Sequence, residues 1–246
     1  MYLLLSGEGS GDIGACDPEN ATCDRDTFKA GPMAWIVDQV VENALGYDFS
    51  HLDTDRVSFV SESYLADNKQ KPLKRAMALR GKKKPAETKY FFENARALAA
   101  AAKEKAEEIG DNVVAILFRD SDGTASAGRG LWRDKRESIK LGFAAEAFEL
   151  GVAMVPEPKS EAWLLCAVKE NPYQHCKALE DESGNDKGKN PLKDQLDAAL
   201  IAGEFQGCQA QLVQEKIIDI QQIDMDSLSS FKTDLEAAVK ATGAAK

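Results

Sequence analysis

Short apolar runs bounded by turn residues alternate with longer amphipathic stretches over the first two thirds of the chain. The apolar runs have the length of strands and predict four of them, over residues 2–5, 56–60, 113–118 and 152–155. The stretches between them carry apolar residues at helical spacing and predict helices over 28–45, 91–109 and 139–150. Strands that alternate with helices are typical of βαβ units. The pattern therefore predicts an α/β fold, with a parallel sheet of about four strands flanked by helices.

The last third of the chain lacks a convincing strand pattern. A helix is expected to begin near Ser160, and further helices are expected near residues 191–202, 209–218 and 229–241. We therefore predict two regions. The first is a domain over residues 1–170 with insertions near 13–27 and 64–88, and the second is a helical C-terminal extension over 171–246.

Charge is distributed unevenly along the chain. The net charge of −10 argues against a uniformly basic nucleic-acid-binding protein. Residues 69–84, "KQKPLKRAMALRGKKK", nevertheless carry eight Lys or Arg and no acid. Such a run is a solvated loop, a surface for phosphates, or a surface for an acidic partner. The residues predicted to contact nucleic acid are Lys74, Arg75, Arg80, Lys82, Lys83, Lys84, Arg129 and Arg133, with Lys135 and Arg136 as an extension.

The cysteines and the apolar segments bear on location. Five cysteines occur without a C-x-x-C pair, which favours reduced thiols in the cytosol and leaves Cys16 and Cys23 open as a metal or redox pair. No apolar stretch approaches the length of a membrane helix, and the N-terminus lacks the basic start of a signal peptide. We therefore expect a cytoplasmic protein with no membrane partner.

The segment "LLLSGEGSGDIG" follows the first predicted strand and has the spacing G-x-G-x-x-G. A dinucleotide loop with this spacing should open a helix and present backbone amides to a pyrophosphate. Here Glu8 and Asp12 would instead place negative charge against the phosphates, and no strong helical pattern follows Gly14. These features favour an acidic site over a dinucleotide site.

Acidic residues follow three of the four predicted strands. Glu8 and Asp12 follow the first, Asp120 and Asp122 follow the third in "RDSDG", and Glu161 follows the fourth in "PEPKSEAW". In a parallel α/β sheet, ligands bind beyond the carboxyl ends of the strands, so these carboxylates are expected to converge there. Clustered carboxylates repel one another unless a cation neutralises them, and oxygen ligands suit Mg²⁺, Mn²⁺ or Ca²⁺. The pattern predicts a metal site.

The segments "LLLSGEGSGD" and "VVAILFRDSDG" resemble the glutamate and D-x-D motifs of TOPRIM domains, the metal-binding fold of topoisomerases, primases and overcoming-lysogenization-defect nucleases. "PEPKSEAWLLC" and the later "SGND…NP" loop resemble a bacterial TOPRIM-like family of unknown function. The resemblance covers about residues 1–200. It implies a nuclease using Mg²⁺ or Mn²⁺, with Glu8, Asp120 and Asp122 at the metal, and Glu8 also acting in catalysis.

The resemblance has further implications. Asp12 and Glu161 would join the metal site, and Lys159 would stabilise transition-state charge. The substrate would be DNA or RNA, and the setting would be defence against phage or mobile elements beside an ATPase partner.

Several alternatives stay open. Lys159 also fits a surface lysine, and Ser160 fits a helix N-cap with Glu161 in the first turn. "ILFRDSDGT" also resembles the first motif of haloacid-dehalogenase-type phosphatases, in which Asp120 would be the nucleophile and Asp122 the acid/base. That hypothesis leaves Glu8 and Asp12 without a role. A third possibility is a TOPRIM-like subunit that binds nucleic acid or protein without catalysis.

Overall fold

The computed structural model describes residues 1–71, 86–121 and 131–244 and places seven strands and eight α-helices within them. The strands are β1 Tyr2–Gly7, β2 Gly14–Cys16, β3 Thr22–Asp24, β4 Phe28–Ala30, β5 Val57–Ser61, β6 Val113–Phe118 and β7 Gly151–Met154. The helices are α1 Pro32–Leu45, α2 Glu62–Asp67, α3 Ala86–Ile109, α4 Leu131–Ala145, α5 Ser160–Val168, α6 Leu192–Ala202, α7 Gln209–Gln214 and α8 Asp226–Ala241.

The main sheet is mixed and has five strands in the order β3-β5-β1-β6-β7. Four strands run parallel, and β3 joins the edge of β5 in the antiparallel direction. Strands β2 and β4 form a separate antiparallel ribbon. The predicted α/β class is confirmed. The sheet differs from the prediction by its antiparallel edge strand, which comes from the segment expected to be a polar loop.

Helices cover both faces of the sheet. Strand β1 is buried along its whole length, and alternate residues face opposite layers. Leu3 and Leu5 belong to a core packed with α1 and α5–α8. Tyr2 and Leu4 belong to a second core packed with α3 and α4. Continuous apolar strands are expected of a parallel sheet that is buried on both faces.

The C-terminal helices share a core with the sheet. Gln39 on α1 donates side-chain hydrogen bonds to the carbonyls of Val213 and Ile218, at 2.6 and 3.0 Å. Trp163 stacks on Phe231, with ring centroids 6.0 Å apart. The predicted boundary near residue 170 therefore crosses a continuous apolar core, and the division into two regions stays a prediction.

The predicted helix over 28–45 is wrong at its start. Residues Phe28–Ala30 form β4, which pairs with β2, and helix α1 begins only at Pro32. Proline suits the first turn of a helix because it lacks the backbone N–H that would have no partner there. The helices predicted over 91–109 and 139–150 begin earlier, at Ala86 and Leu131, and the second of them also ends earlier, at Ala145.

The expectation of reduced thiols is also wrong. Cys16 is joined to Cys23, and Cys166 is joined to Cys176. The two pairs have Cα atoms 5.7 and 5.3 Å apart, which is within the usual range for disulfides. The first disulfide ties the β2–β4 ribbon to the edge strand β3. Cys208 is a free, exposed thiol.

Candidate functional site

The register of the parallel strands brings four strand ends to one edge. Gly7 lies beside Ser61 on β5 and beside Phe118 on β6, and Phe118 lies beside Met154 on β7. The residues that follow these ends therefore emerge together, as expected for the ligand-binding edge of a parallel sheet. Glu8, Glu62 and Arg119 are the first of them.

The glycine loop turns tightly around Asp12. After β1, residues Gly9–Ile13 form a single π-helical turn. Gly9 has φ +82°, and a Cβ there would collide with the carboxylate of Asp12. Strand β2 follows at Gly14, where a dinucleotide loop would open a helix. The glycines thus allow a turn in the chain and close packing against the acid.

Ser160 connects three acidic residues from three parts of the chain. Its hydroxyl donates to Asp12 Oδ1 at 2.7 Å and lies 3.3 Å from Glu161 Oε2. Its backbone N–H donates to Asp120 Oδ1 at 2.9 Å. We call Asp12, Asp120, Ser160 and Glu161 the serine cluster. The structure thus brings together three of the five predicted metal residues.

The expected N-cap role of Ser160 is wrong. Ser160 is the first residue of α5, Lys159 occupies the N-cap position, and the hydroxyl of Ser160 bonds to Asp12. Asp120 instead supplies an oxygen to a backbone N–H of the first turn. An acid near this end is stabilised by the helix dipole.

Electrostatics in the serine cluster disfavour the ionised form of Glu161. Burial raises the pKa of Glu161, and the nearby carboxylates of Asp12 and Asp186 act in the same direction, against Lys159. Lys159 is buried, and its ammonium bonds to both oxygens of Asp186 at 2.8 and 2.9 Å. The surface-lysine interpretation is therefore wrong, because Lys159 is buried and its ammonium is held by Asp186.

Glu8 is held by an arginine. Arg119 Nη2 lies 3.0 Å from Glu8 Oε2, and Arg119 Nη1 donates to Glu62 at 2.7 Å. The guanidinium also lies 4.5 Å from the ring centroid of Tyr90. Burial lowers the pKa of Arg119, but Glu8, Glu62 and Tyr90 together outweigh burial and raise it. The negative charge of Glu8 is thus paired with the guanidinium of Arg119.

A cavity of about 470 Å³ opens beside Glu8. Its wall includes the glycine loop, Glu19 and Asn20 from the disulfide-closed segment, and Glu62 at the start of α2. Phe59 also lines the cavity, and its ring stacks on that of Phe28 with centroids 5.1 Å apart. The cavity is large enough for a small polar group next to the carboxyl edge.

Several predicted residues lie outside the described residues. They are Asp122, Lys74, Arg75, Arg80, Lys82, Lys83, Lys84 and Arg129. Arg133 is described and is exposed on α4. Lys135 and Arg136 were expected to extend a basic surface, and this is wrong: Lys135 is fully buried, and Arg136 pairs with Asp234 at 2.6 Å.

Within residues 1–71, 86–121 and 131–244, no three His, Cys, Asp or Glu side chains stand as a ready-made metal site. In the serine cluster, the Oδ1 atom of Asp12 and the Oδ1 atom of Asp120 each accept a hydrogen bond from Ser160. Oxygen donors of this kind suit a hard cation. The pKa of Glu161 is raised mainly by its burial, and the carboxylates of Asp12 and Asp186 add to this effect. The donor chemistry fits Mg²⁺ or Mn²⁺, and a complete ligand set would draw on Asp122 as well.

Three residues of this edge were missed by the sequence patterns. Arg119 directly precedes the D-x-D motif, Asp186 lies in the quoted "SGND" loop, and Ser160 was assigned only a capping role. A charged residue at a strand end and an acid in a conspicuous loop are weak signals. Their partners become known only after folding.

No helix in the part of the chain that the structure describes is both long and apolar enough to cross a bilayer. Comparisons with protein-family models, curated proteins and solved structures returned no significant match.

Proposed function

We propose that this protein is a metal-dependent phosphodiesterase, a nuclease of TOPRIM type that acts on DNA or RNA. The observation that carries the proposal is the serine cluster, where Asp12, Asp120 and Glu161 meet at Ser160 from three separate segments. The resemblance of the glutamate and D-x-D motifs supports the same function. The four parallel strands, with acidic residues beyond their carboxyl ends, are consistent with it.

Mg²⁺ or Mn²⁺ would be held by Asp12, Asp120 and Glu161, together with Asp122. When bound, such an ion lowers the pKa of water and stabilises negative charge on a phosphate. Glu8 would accept a proton at its carboxylate, and Arg119 would fix the orientation of that carboxylate through its 3.0 Å contact.

Lys159 is positioned to supply positive charge at the serine cluster. Its ammonium is bound to Asp186, so it would contact a phosphate only by exchanging or sharing that partner. Because Lys159 is buried, its charge is screened less than that of a surface lysine. This supports the predicted role in stabilising transition-state charge.

The biological setting follows from the resemblance alone. We propose defence against phage or mobile elements, with an ATPase partner and nucleic acid bound in part by the basic run of residues 69–84. A cytoplasmic location is part of this proposal. It requires the two disulfides to persist against cellular thiols, which is uncommon in reducing compartments.

One observation favours a second candidate, a subunit that binds nucleic acid or protein without cutting it. Glu8 is already charge-paired by Arg119, and Arg119 is also bound by Glu62. A carboxylate held in this way is stable without a metal. This candidate predicts binding without cleavage under every metal condition.

The deciding experiment is cleavage by purified protein with Mn²⁺ or Mg²⁺ on single- and double-stranded DNA and RNA, with Mn²⁺ binding measured by calorimetry. Asp120→Asn keeps an oxygen that can accept from the Ser160 N–H, so it should fold while losing cleavage and metal affinity. Asp197→Asn, at an exposed position on α6, is the matched control.

Binding of nucleic acid without cleavage would support the second candidate. A covalent phosphoaspartate at Asp120 would support the phosphatase hypothesis. Wild-type protein that neither binds Mn²⁺ nor cuts any of the four substrates would contradict the proposed function.

A further inference from the structure

Lys135 is a fully buried lysine that the proposed chemistry leaves unexplained. It lies on α4, which follows the D-x-D motif, and none of its surface is exposed. A buried ammonium is costly unless polar groups compensate for lost hydration. Its Nζ donates to the backbone carbonyl of Ser121 at 2.7 Å and lies 5.6 Å from the ring centroid of Phe91. Both contacts stabilise the cation.

Ser121 is the middle residue of the D-x-D motif. Its N–H donates to the Pro156 carbonyl at 3.2 Å, and its hydroxyl donates to the Pro158 carbonyl at 3.2 Å. The segment that carries Asp120 is therefore joined to the loop that leads into Lys159 and Ser160. Lys135 holds the remaining polar group of Ser121, its carbonyl, from the interior.

Helix α4 is fixed to the same loop by a second bond. Trp132 Nε1 donates to the Val155 carbonyl at 2.6 Å. One turn of α4 thus holds both sides of the serine cluster, through Trp132 on the loop after β7 and through Lys135 on the segment after β6.

Phe91 relates this arrangement to Glu8. The ring is buried on α3, and the guanidinium of Arg119 lies 5.3 Å from its centroid. The same ring therefore lies close to two cations, one that binds Glu8 and one that binds the D-x-D segment. A Leu or Met at position 135 could fill the volume but could not bind the carbonyl of Ser121.

We propose that Lys135 is a positioning residue for the candidate site. Its hydrogen bond to the Ser121 carbonyl fixes the position of the neighbouring Asp120 relative to Ser160. The role in metal binding rests on the proposed function, whereas the role in holding the segment does not. Residues that orient metal ligands typically change metal affinity by about 10- to 100-fold when they are replaced.

The test compares Lys135→Met with wild type, using Lys140→Met, an exposed lysine of the same helix, as the control. Two quantities are measured: the Mn²⁺ dissociation constant by calorimetry, and amide hydrogen exchange by mass spectrometry with peptide coverage of residues 119–121 and 156–161. We expect Lys135→Met to weaken Mn²⁺ binding at least tenfold and to speed exchange in those two segments alone. Lys140→Met should match wild type in both.

Unchanged Mn²⁺ affinity in Lys135→Met would overturn the proposal, and so would exchange that rises uniformly over the chain. If wild-type protein binds no Mn²⁺, the proposed function fails, and the exchange data alone decide the positioning role. If Lys135→Met does not fold, Lys135→Gln takes its place, because its uncharged amide side chain is one bond shorter and no longer reaches the Ser121 carbonyl as the ammonium does. Faster exchange over 119–121 and 156–161 in that variant supports the proposal, and unchanged exchange there contradicts it.

Discussion

At the scale of single residues, Glu8 is the most informative position because two hypotheses predict opposite effects. If the glycine loop bound a nucleotide, removing the charge of Glu8 would leave binding equal or improve it. If Glu8 acts in catalysis beside a metal, the same change removes a needed charged oxygen. Its contact with Arg119 allows an amide to keep one hydrogen bond, so the fold should survive.

We therefore expect Glu8→Gln to be folded, with a melting temperature close to that of wild type, and to lose roughly 100-fold or more of its cleavage activity. Glu19→Gln, an exposed position in the wall of the same cavity, is the control and should keep activity. Thermal stabilisation of both wild type and Glu8→Gln by metal-free ATP or NAD would restore the nucleotide hypothesis.

At the scale of elements, the Cys16–Cys23 disulfide holds an irregular segment to the sheet. Strands β2 and β3 have three residues each, and such short strands contribute little stability by themselves. The bridge closes a small loop with a sequence separation of 7. Loop-closure entropy for that size corresponds to about 2–3 kcal/mol.

The double change Cys16→Ser/Cys23→Ser should accordingly lower the free energy of unfolding by about 2–3 kcal/mol in urea titrations without reductant. Cys208→Ser, which removes the exposed free thiol, should leave the curve unchanged. Titration of five free thiols in unreduced, denatured protein would show that neither disulfide forms.

The basic run between α2 and α3 is a second element-scale question, since residues 72–85 lie outside the described residues. If it contacts phosphates, each neutralised phosphate releases counterions, and affinity falls with salt in proportion. Replacing Lys82, Lys83 and Lys84 with Ala should weaken nucleic-acid binding and reduce the slope of log K against log salt by roughly 2–3.

The matched control removes three exposed lysines elsewhere, with Lys189, Lys193 and Lys240 replaced by Ala. It changes net charge equally, so it should leave the slope near the wild-type value. Equal slopes for both triple variants would mean that the run is a solvated loop.

At the scale of the whole molecule, two buried ionisable groups give the stability an unusual dependence on pH. Burial lowers the pKa of His51 from its ordinary 6.5 to about 4. Burial raises the pKa of Asp38 to about 6, although its carboxylate accepts the His51 backbone N–H at 2.8 Å. The contribution of His51 to the free energy of unfolding is complete above pH 6.5 and is lost as pH falls towards 4. Asp38 has the opposite pH dependence. Its contribution to the free energy of unfolding is complete below about pH 3.8 and is lost as pH rises through about 6.

We expect His51→Leu to become more stable relative to wild type as pH falls from 7 to 4.5, by up to about 3 kcal/mol, because only wild type must keep a buried imidazole uncharged. Urea unfolding at pH 7, 5.5 and 4.5 measures this difference. His175→Asn, at an exposed position with φ +54°, is the control and should track wild type. A constant difference between His51→Leu and wild type at all three pH values would contradict the expectation.

The sequence by itself determined the elements whose physics is local. Apolar runs flanked by turns placed β6 at the predicted residues 113–118 and the other three parallel strands within two residues of their starts and ends. Helical spacing predicted every α-helix of the described residues except α2, with starts that differ from the observed ones by up to eight residues. Acids at the strand ends indicated one edge as the candidate site. Each of these inferences needs only neighbours along the chain, because side-chain period and backbone preference are set over a few residues.

The tertiary structure decided what depends on distant partners. Asp12 and Ser160 are separated by 148 positions, and the chain pattern alone favoured a cap for that serine. The sequence pattern predicts a helix start at Phe28–Ala30. In the structure this segment is a strand, because β2 lies beside it and supplies its hydrogen-bonding partners. From the sequence, Lys135 was predicted to lie on the surface. It is buried in the structure, because α4 packs against the segment that carries the carbonyl of Ser121. Local preferences are weak beside the free energy of burial and of satisfied polar groups, so the fold overrides them wherever distant segments meet.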